Sequence, residues 1–135
     1  MKLVKTVIKG LDGYKNKTLT IDFIAEKRVY EEEAKNFVVT RLISNIYLLN
    51  TITLIGINAS GKTTTLNILS EILKVFIDNK SLNQKNKLFQ YFDEQLYLEN
   101  YFFDDKTVYK LVSTIKNNKE IQTVEFIEEK LFQKS

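Results

Sequence analysis

The chain has 135 residues, of which 44% are hydrophobic and 27% charged, an ordinary composition for one soluble globular domain. It is long enough for a hydrophobic core, and a net charge of +3 spread along the chain does not indicate nucleic-acid binding. Cysteine and histidine are both absent, which excludes disulfides, thiol nucleophiles, zinc sites and imidazole bases.

The N-terminal residues 1–23 predict a β-hairpin. Residues 3–9 are rich in strand-forming side chains, residues 10–13 form a glycine-containing turn, and residues 18–23 alternate apolar and polar side chains. Lysines interrupt the apolar residues of this region, and no apolar run in the chain approaches the ~20 residues that a membrane span requires. We therefore expect a cytoplasmic protein with no membrane partner.

Residues 24–50 are predicted to form an insertion after the hairpin. Its charged part, residues 26–35, includes the consecutive glutamates at positions 31–33. A charge run of this kind is usually a solvated loop or helix face rather than a set of catalytic carboxylates. We expect these glutamates to lie at the surface.

The segment from Gly56 to Thr64 fits the phosphate-binding pattern G-x-x-x-x-G-K-[ST]. It lies between strand-like residues 51–55 and helix-like residues 64–77, and a match in that setting seldom occurs by chance. The alternative is an ordinary glycine-containing turn before a capped helix, with Lys62 merely solvated. The setting favours a nucleoside triphosphate as the ligand.

Each fixed position of the pattern has a chemical reason. Gly56 and Gly61 let backbone N–H groups approach the phosphates, and the following helix presents the positive end of its dipole. Lys62 adds a full charge for the β and γ phosphates, and the hydroxyl of Thr63 is suited to ligate Mg²⁺. Thr64 is a further donor, to the α phosphate.

The predicted helix carries a broad apolar surface. One strip consists of Leu66, Leu69, Leu73 and Phe76, and an adjoining strip of Ile68, Ile72 and Val75. That breadth predicts a helix that packs against a sheet over much of its circumference. The polar residues 80–87 that follow are predicted to be a mobile connection.

Residues 88–132 predict an antiparallel arm. Strand-like residues 100–103, 108–115 and 121–132 are separated by turn sequences at 104–107 and 116–119. The sequence therefore predicts an α/β fold, a P-loop NTPase half-domain in which residues 51–77 supply a strand-loop-helix core. The N-terminal hairpin and a C-terminal β-meander would flank that core.

With Asn58 and Ser60 in the loop, this order of elements resembles the N-terminal part of ABC-type AAA family ATPases, which include SMC-like, RecF-like and OLD-type proteins. The resemblance is strongest over residues 1–73. It implies Mg-ATP as the ligand, with phosphate and Mg²⁺ contacts from Asn58, Ala59, Ser60, Gly61, Lys62, Thr63 and Thr64. The turn between the first two strands approaches the base and ribose in such proteins, so Tyr14 and Lys15 are candidates there, Tyr14 as an adenine platform. A nucleotide-dependent homodimer and, for some members, DNA are the implied partners.

The chain departs from that family in its catalytic motifs. An apolar run ending in Asp-Glu and a Ser-Gly-Gly signature are both absent from the sequence. The nearest acidic match, residues 101–105, falls where a hairpin turn is predicted. The family's γ-phosphate-sensing glutamine cannot be assigned, because Gln90, Gln95 and Gln122 are all possible. We therefore expect an N-terminal fragment that binds Mg-ATP, with no catalytic group assignable beyond Lys62 and hydrolysis requiring a missing C-terminal half.

Two other functions compete with this interpretation. A small P-loop kinase would need arginines in a lid over the phosphates, but the only arginines, Arg28 and Arg41, precede the loop. A degenerate, non-catalytic nucleotide-binding module would instead serve as an interaction surface and associate through unpaired sheet edges.

Overall fold

The computed structural model describes residues 1–25, 30, 39–43, 45–56, 61–76, 78, 87–120 and 123–134. Within these ranges the chain forms seven strands and one α-helix, with short 3₁₀ segments at Lys15–Lys17 and Lys87–Tyr91. In chain order the elements are β1 (Lys2–Lys9), β2 (Thr18–Asp22), β3 (Val39–Ile43), β4 (Ile46–Leu49), α1 (Lys62–Phe76), β5 (Gln95–Asp104), β6 (Thr107–Asn118) and β7 (Thr123–Lys134).

Five strands form one antiparallel sheet in the order β2-β1-β5-β6-β7. The pairing of β1 with β2 and the β5-β6-β7 meander agree with the local patterns in the sequence. β5 and β6 meet at a tight turn in which Asp105 and Lys106 both have positive φ, the conformation of a two-residue hairpin that matches the strand twist. Along β5, alternate side chains are buried, because successive residues of a strand point to opposite faces.

A second ribbon, β3-β4, joins the sheet through residues 23–25. The amide of Phe23 donates to the carbonyl of Val4 in β1, at 2.9 Å. On its other side, the amide of Leu49 donates to the carbonyl of Phe23 at 2.7 Å, and that of Ala25 to the carbonyl of Tyr47 at 2.9 Å. The segment after β2 therefore connects the ribbon to the main sheet by backbone hydrogen bonds.

Helix α1 covers one face of the sheet. Its buried apolar side chains are Ile68 and Ile72, which join a core of Ile8, Leu11, Leu88, Phe92, Leu96, Leu98 and Ile115. Leu66, on the other predicted strip, is 55% exposed. The helix thus packs through a narrower surface than its sequence pattern predicts, because a single sheet face contacts only one side of it.

The predicted fold class, an α/β domain built on a strand-loop-helix core, is wrong. The described structure is mostly antiparallel sheet with one helix packed on it. Residues 51–56, expected to contain the core strand, have no strand conformation, and Ile55 is 92% exposed. A strand also needs a hydrogen-bonded partner, and the described strands pair antiparallel among themselves, none of them with residues 51–56.

Several sequence predictions lie outside the described residues. They include most of the charged run at 26–35, most of the connection at 80–87, and the loop positions Asn58, Ala59 and Ser60. Within the ranges that the structure describes, no helix has the length and apolar character needed to cross a membrane.

A candidate phosphate-binding site at the start of helix α1

Helix α1 begins immediately after Gly61. This glycine has φ +87°, a conformation that other residues rarely adopt, and its carbonyl accepts the first helical hydrogen bond from the amide of Thr65 at 2.9 Å. The N–H groups of the first helical turn have no partner within the helix, and they lie at the positive end of its dipole. These N–H groups at the start of α1, directly after Gly61, form an arrangement that is suited to bind an anion.

The side chain of Lys62 connects the two ends of the loop. Its ammonium group donates a hydrogen bond to the carbonyl oxygen of Gly56, five positions before Gly61. The lysine of the pattern therefore contacts the first glycine of the same pattern. The residues between Gly56 and Gly61, at positions 57–60, lie outside the described ranges.

The threonines of the pattern occupy the first turn of α1. Thr63 is exposed and Thr64 is partly buried, and no acidic residue lies in this turn. A carboxylate there would repel a phosphate, so the local charge favours an anion. No group of three or more acidic, histidine or cysteine side chains among the described residues could hold a metal ion. Any Mg²⁺ at this site would depend on Thr63 and on oxygens of the bound phosphate.

Tyr14 approaches the same helix end from the turn after β1. Its phenol lies 2.9 Å from the hydroxyl of Thr65, with either group able to donate, and its ring packs against the core cluster. Tyr14 immediately precedes Lys15, the first residue of the 3₁₀ segment. The structure thus places Tyr14 beside the first turn of α1, whereas it shows no contact between Lys15 and that turn among the described residues. Thr65 itself was missed by sequence reasoning, because no local pattern marks a contact across 51 positions.

The acidic match at residues 101–105 belongs to the β5-β6 hairpin. Asp104 ends β5 and forms an ion pair with the N-terminal amino group of Met1 at 2.8 Å. Asp105 lies in the turn itself, with positive φ. Both carboxylates therefore have the positions expected of turn residues, as the sequence pattern indicated.

A second polar cluster lies on the sheet face opposite α1. Glu99 accepts hydrogen bonds from the phenols of Tyr97, at 2.7 Å, and Tyr101, at 2.9 Å, and forms an ion pair with Lys110 at 3.0 Å. Burial alone would raise the pKa of Glu99, but the hydrogen bonds from Tyr97, Lys110 and Tyr101 outweigh it and lower that pKa to about 2. A carboxylate held so strongly in its ionised form is a poor general base at neutral pH.

The Glu99 cluster was also missed in the sequence, although the strand period contains a signal for it. Tyr97, Glu99 and Tyr101 alternate along β5, so they share one face, and Lys110 lies directly opposite Tyr101 on β6. The hydrogen bond from the Tyr97 phenol to Glu99 raises the pKa of Tyr97. The hydrogen bond from the Lys110 ammonium to Glu99 raises the pKa of Lys110. We therefore interpret the cluster as a structural network that holds β5 to β6.

No protein-family model matches the chain, and no curated protein matches it at a significant level. The case for a phosphate site therefore depends on residues of this chain. These are the positive φ of Gly61, the contact of Lys62 with Gly56, and a first helical turn that carries no acidic residue.

Proposed function

We propose that this chain binds a magnesium–nucleoside triphosphate, with Mg-ATP as the leading ligand, at the start of α1. The observation that carries the proposal is the hydrogen bond from the Lys62 ammonium to the carbonyl of Gly56. It supports the proposal because the cation of Lys62 contacts Gly56, and both residues belong to a sequence that fits a phosphate-binding pattern.

The charge of a triphosphate suits this arrangement. Backbone N–H groups and the helix dipole provide partial positive charge along the axis of α1, and Lys62 provides a full one. In the complex, Lys62 exchanges the neutral carbonyl of Gly56 for phosphate oxygens. A hydrogen bond between two charged groups is stronger than one to a neutral carbonyl, so the exchange favours binding.

The other groups at the site have distinct roles in this proposal. The exposed hydroxyl of Thr63 ligates Mg²⁺ together with phosphate oxygens, and Thr64 donates to the α phosphate. Asn58, Ala59 and Ser60 contribute loop contacts. Tyr14 and Lys15 are the proposed contacts for the base and ribose, and the hydrogen bond between the Tyr14 phenol and Thr65 supports this role for Tyr14.

The proposed activity is binding, without efficient hydrolysis by this chain alone. Cleavage of a phosphoanhydride requires an oriented water and stabilisation of charge on the leaving group. The sequence has no apolar run ending in Asp-Glu, and the first turn of α1 has no carboxylate. We propose that the chain is the N-terminal portion of a cytoplasmic ABC-type AAA family ATPase, whose remaining half supplies the water-activating group.

Calorimetric titration with a non-hydrolysable ATP analogue, with and without Mg²⁺, tests the proposal. We expect Mg²⁺-dependent binding that Lys62→Ala weakens by at least about tenfold, the effect of losing one charge-assisted hydrogen bond. Lys74→Ala is the matched control, because Lys74 lies in the last turn of the same helix and pairs with Glu71. Absence of binding by the folded parent chain, or equal effects of the two variants, would refute the proposal.

A further inference from the structure

Strand β7 forms an edge of the main sheet. It pairs with β6 on one side, and on the other side no described strand lies beside it. Residues 125–134 are all exposed, and four of them are large and apolar: Phe126, Ile127, Leu131 and Phe132. An edge of this kind is a template for pairing with another strand, because its outer N–H and C=O groups have no ladder partner.

A bulge divides β7 into two parts. Thr114 of β6 lies opposite Glu128, whereas the next residue, Ile115, lies opposite Phe126. Ile127 is therefore the extra residue, and bulges disturb the ladder locally. From Glu128 to Lys134 the register is uninterrupted, so this part can accept a further strand along a regular edge.

The charges along the regular part of β7, from Glu128 to Lys134, favour one register for self-pairing. Two copies of β7 that extend the sheet antiparallel are related by a two-fold axis perpendicular to the sheet, and opposite residues must then share a face. The axis therefore lies midway between the two copies of one residue, which we call the centre of the pair. With Leu131 at the centre, Glu128 lies opposite Lys134 of the second copy, and Lys130 lies opposite Phe132.

Four other centres, at Glu128, Glu129, Lys130 and Phe132, place like charges together. A centre at Lys130 puts two lysines opposite each other, and a centre at Glu129 or Glu128 does the same with glutamates. A centre at Phe132 puts Lys130 opposite Lys134. Like charges directly opposite destabilise a strand pair, whereas the Leu131 centre has opposite charges at two symmetric positions.

We propose that two copies of this chain associate through β7, antiparallel and centred on Leu131, which joins two five-stranded sheets into one continuous sheet. The exposed Leu131 and Phe132 become partly covered, and Glu128 of each copy meets Lys134 of the other. The contact does not involve the loop at α1, so this association is independent of nucleotide.

Engineered cysteines test the register directly, because the chain has none of its own. Leu131→Cys places the two cysteines opposite each other, with Cα atoms about 4.5–5.5 Å apart, within the range that a disulfide spans. Gln133→Cys is the matched control, because it is also exposed and shares the face of Leu131. Its copy lies four residues further along, at about 13 Å. We expect mild oxidation to give a covalent dimer from Leu131→Cys only. Failure of Leu131→Cys to cross-link, or equal cross-linking of both variants, would overturn the proposal.

Charge reversal gives an independent measurement by sedimentation velocity. Glu128→Lys and Lys134→Glu each place like charges opposite each other, and we expect each to raise the dimer dissociation constant by about tenfold. The double variant restores opposite charges and should restore dimerisation, with or without nucleotide. A double variant as weak as the single ones contradicts this register. A dimer that forms only with Mg-ATP contradicts the β7 contact but agrees with the proposed nucleotide binding.

Discussion

The phenol of Tyr14 lies 2.9 Å from the hydroxyl of Thr65, which links the turn after β1 to the first turn of α1. Since the ring of Tyr14 also packs against the core cluster, this contact joins the candidate phosphate site to the sheet. The position of the helix end therefore depends on a residue 51 positions earlier in the chain.

The Tyr14–Thr65 contact predicts a measurable coupling. Tyr14→Phe and Thr65→Val each remove one hydroxyl of a partly buried pair, and we expect each to lower the free energy of unfolding by about 1 kcal/mol. The double variant should lose less than the sum of the single losses, because the second substitution has no hydrogen bond left to remove. Urea unfolding of the four proteins measures the coupling. Additive losses would show that the hydroxyls do not interact.

Gly61→Ala should reduce both stability and nucleotide binding. At φ +87° an alanine is strained by about 1–2 kcal/mol, although no described atom lies within 4 Å of the added Cβ. Gly13→Ala is the matched control, with φ +81° and equally open space. Thermal unfolding should show similar losses for both, whereas calorimetric titration with the ATP analogue should show weaker binding for Gly61→Ala only. Equal binding of the ATP analogue by both variants would show that Gly61 does not contribute to the site.

The Glu99 network predicts a loss of stability in acid. The pKa of Glu99 is about 2 in the folded chain, against an ordinary value of 4.5, so folding favours the ionised form. Its contribution, roughly 2–3 kcal/mol, is complete above pH ~4.5 and is lost as the pH falls towards ~2. The free energies of unfolding of the parent and of Glu99→Gln, measured in urea, should therefore converge as the pH falls through this range.

Asp93→Asn is the control for the Glu99 experiment. The hydrogen bond from Lys119 lowers the pKa of Asp93, but both side chains are largely exposed to solvent. Solvent screening leaves such surface pairs with little effect on stability. An unfolding profile in which Asp93→Asn matches Glu99→Gln would contradict the stabilising role of the partly buried Glu99 network.

Buried polar side chains on the α1 face predict changes of different sign in the free energy of unfolding. The hydroxyl of Thr6 donates to the side-chain oxygen of Asn100 at 2.7 Å, while the Ser113 hydroxyl has no hydrogen-bond partner among the described residues. Thr6→Val leaves the Asn100 oxygen unpaired and should cost about 1–3 kcal/mol, whereas Ser113→Ala should be neutral or stabilising by up to about 1 kcal/mol. Thermal unfolding measures both, and a destabilising Ser113→Ala would contradict the assignment.

The local elements could be predicted where residue patterns are sufficient. The alternation in residues 18–23 indicated β2, and the turn sequence at 104–107 marked the junction of β5 and β6. The prediction failed at residues 51–55, whose apolar side chains resemble a core strand but have no strand conformation. Strand propensity reflects side chains that fit a pleated surface. It does not show whether the fold provides a neighbouring strand to pair with.

The candidate site was only partly accessible from the sequence. The glycines, Lys62 and the threonines follow from their spacing, because phosphate chemistry requires those residue types. The same reasoning had no means of selecting Ile68 and Ile72 over Leu66 as the buried side of α1.

The sequence by itself determined the hairpins, their turns and the presence of α1, and it predicted phosphate binding for the loop before that helix. These follow from periodicity and turn preferences, which are properties of neighbouring residues. Only the tertiary structure decided the order of the strands, the antiparallel sheet in place of an α/β core, and the contact between Tyr14 and Thr65. Pairing and burial depend on groups far apart in the chain, and only the folded molecule brings them together.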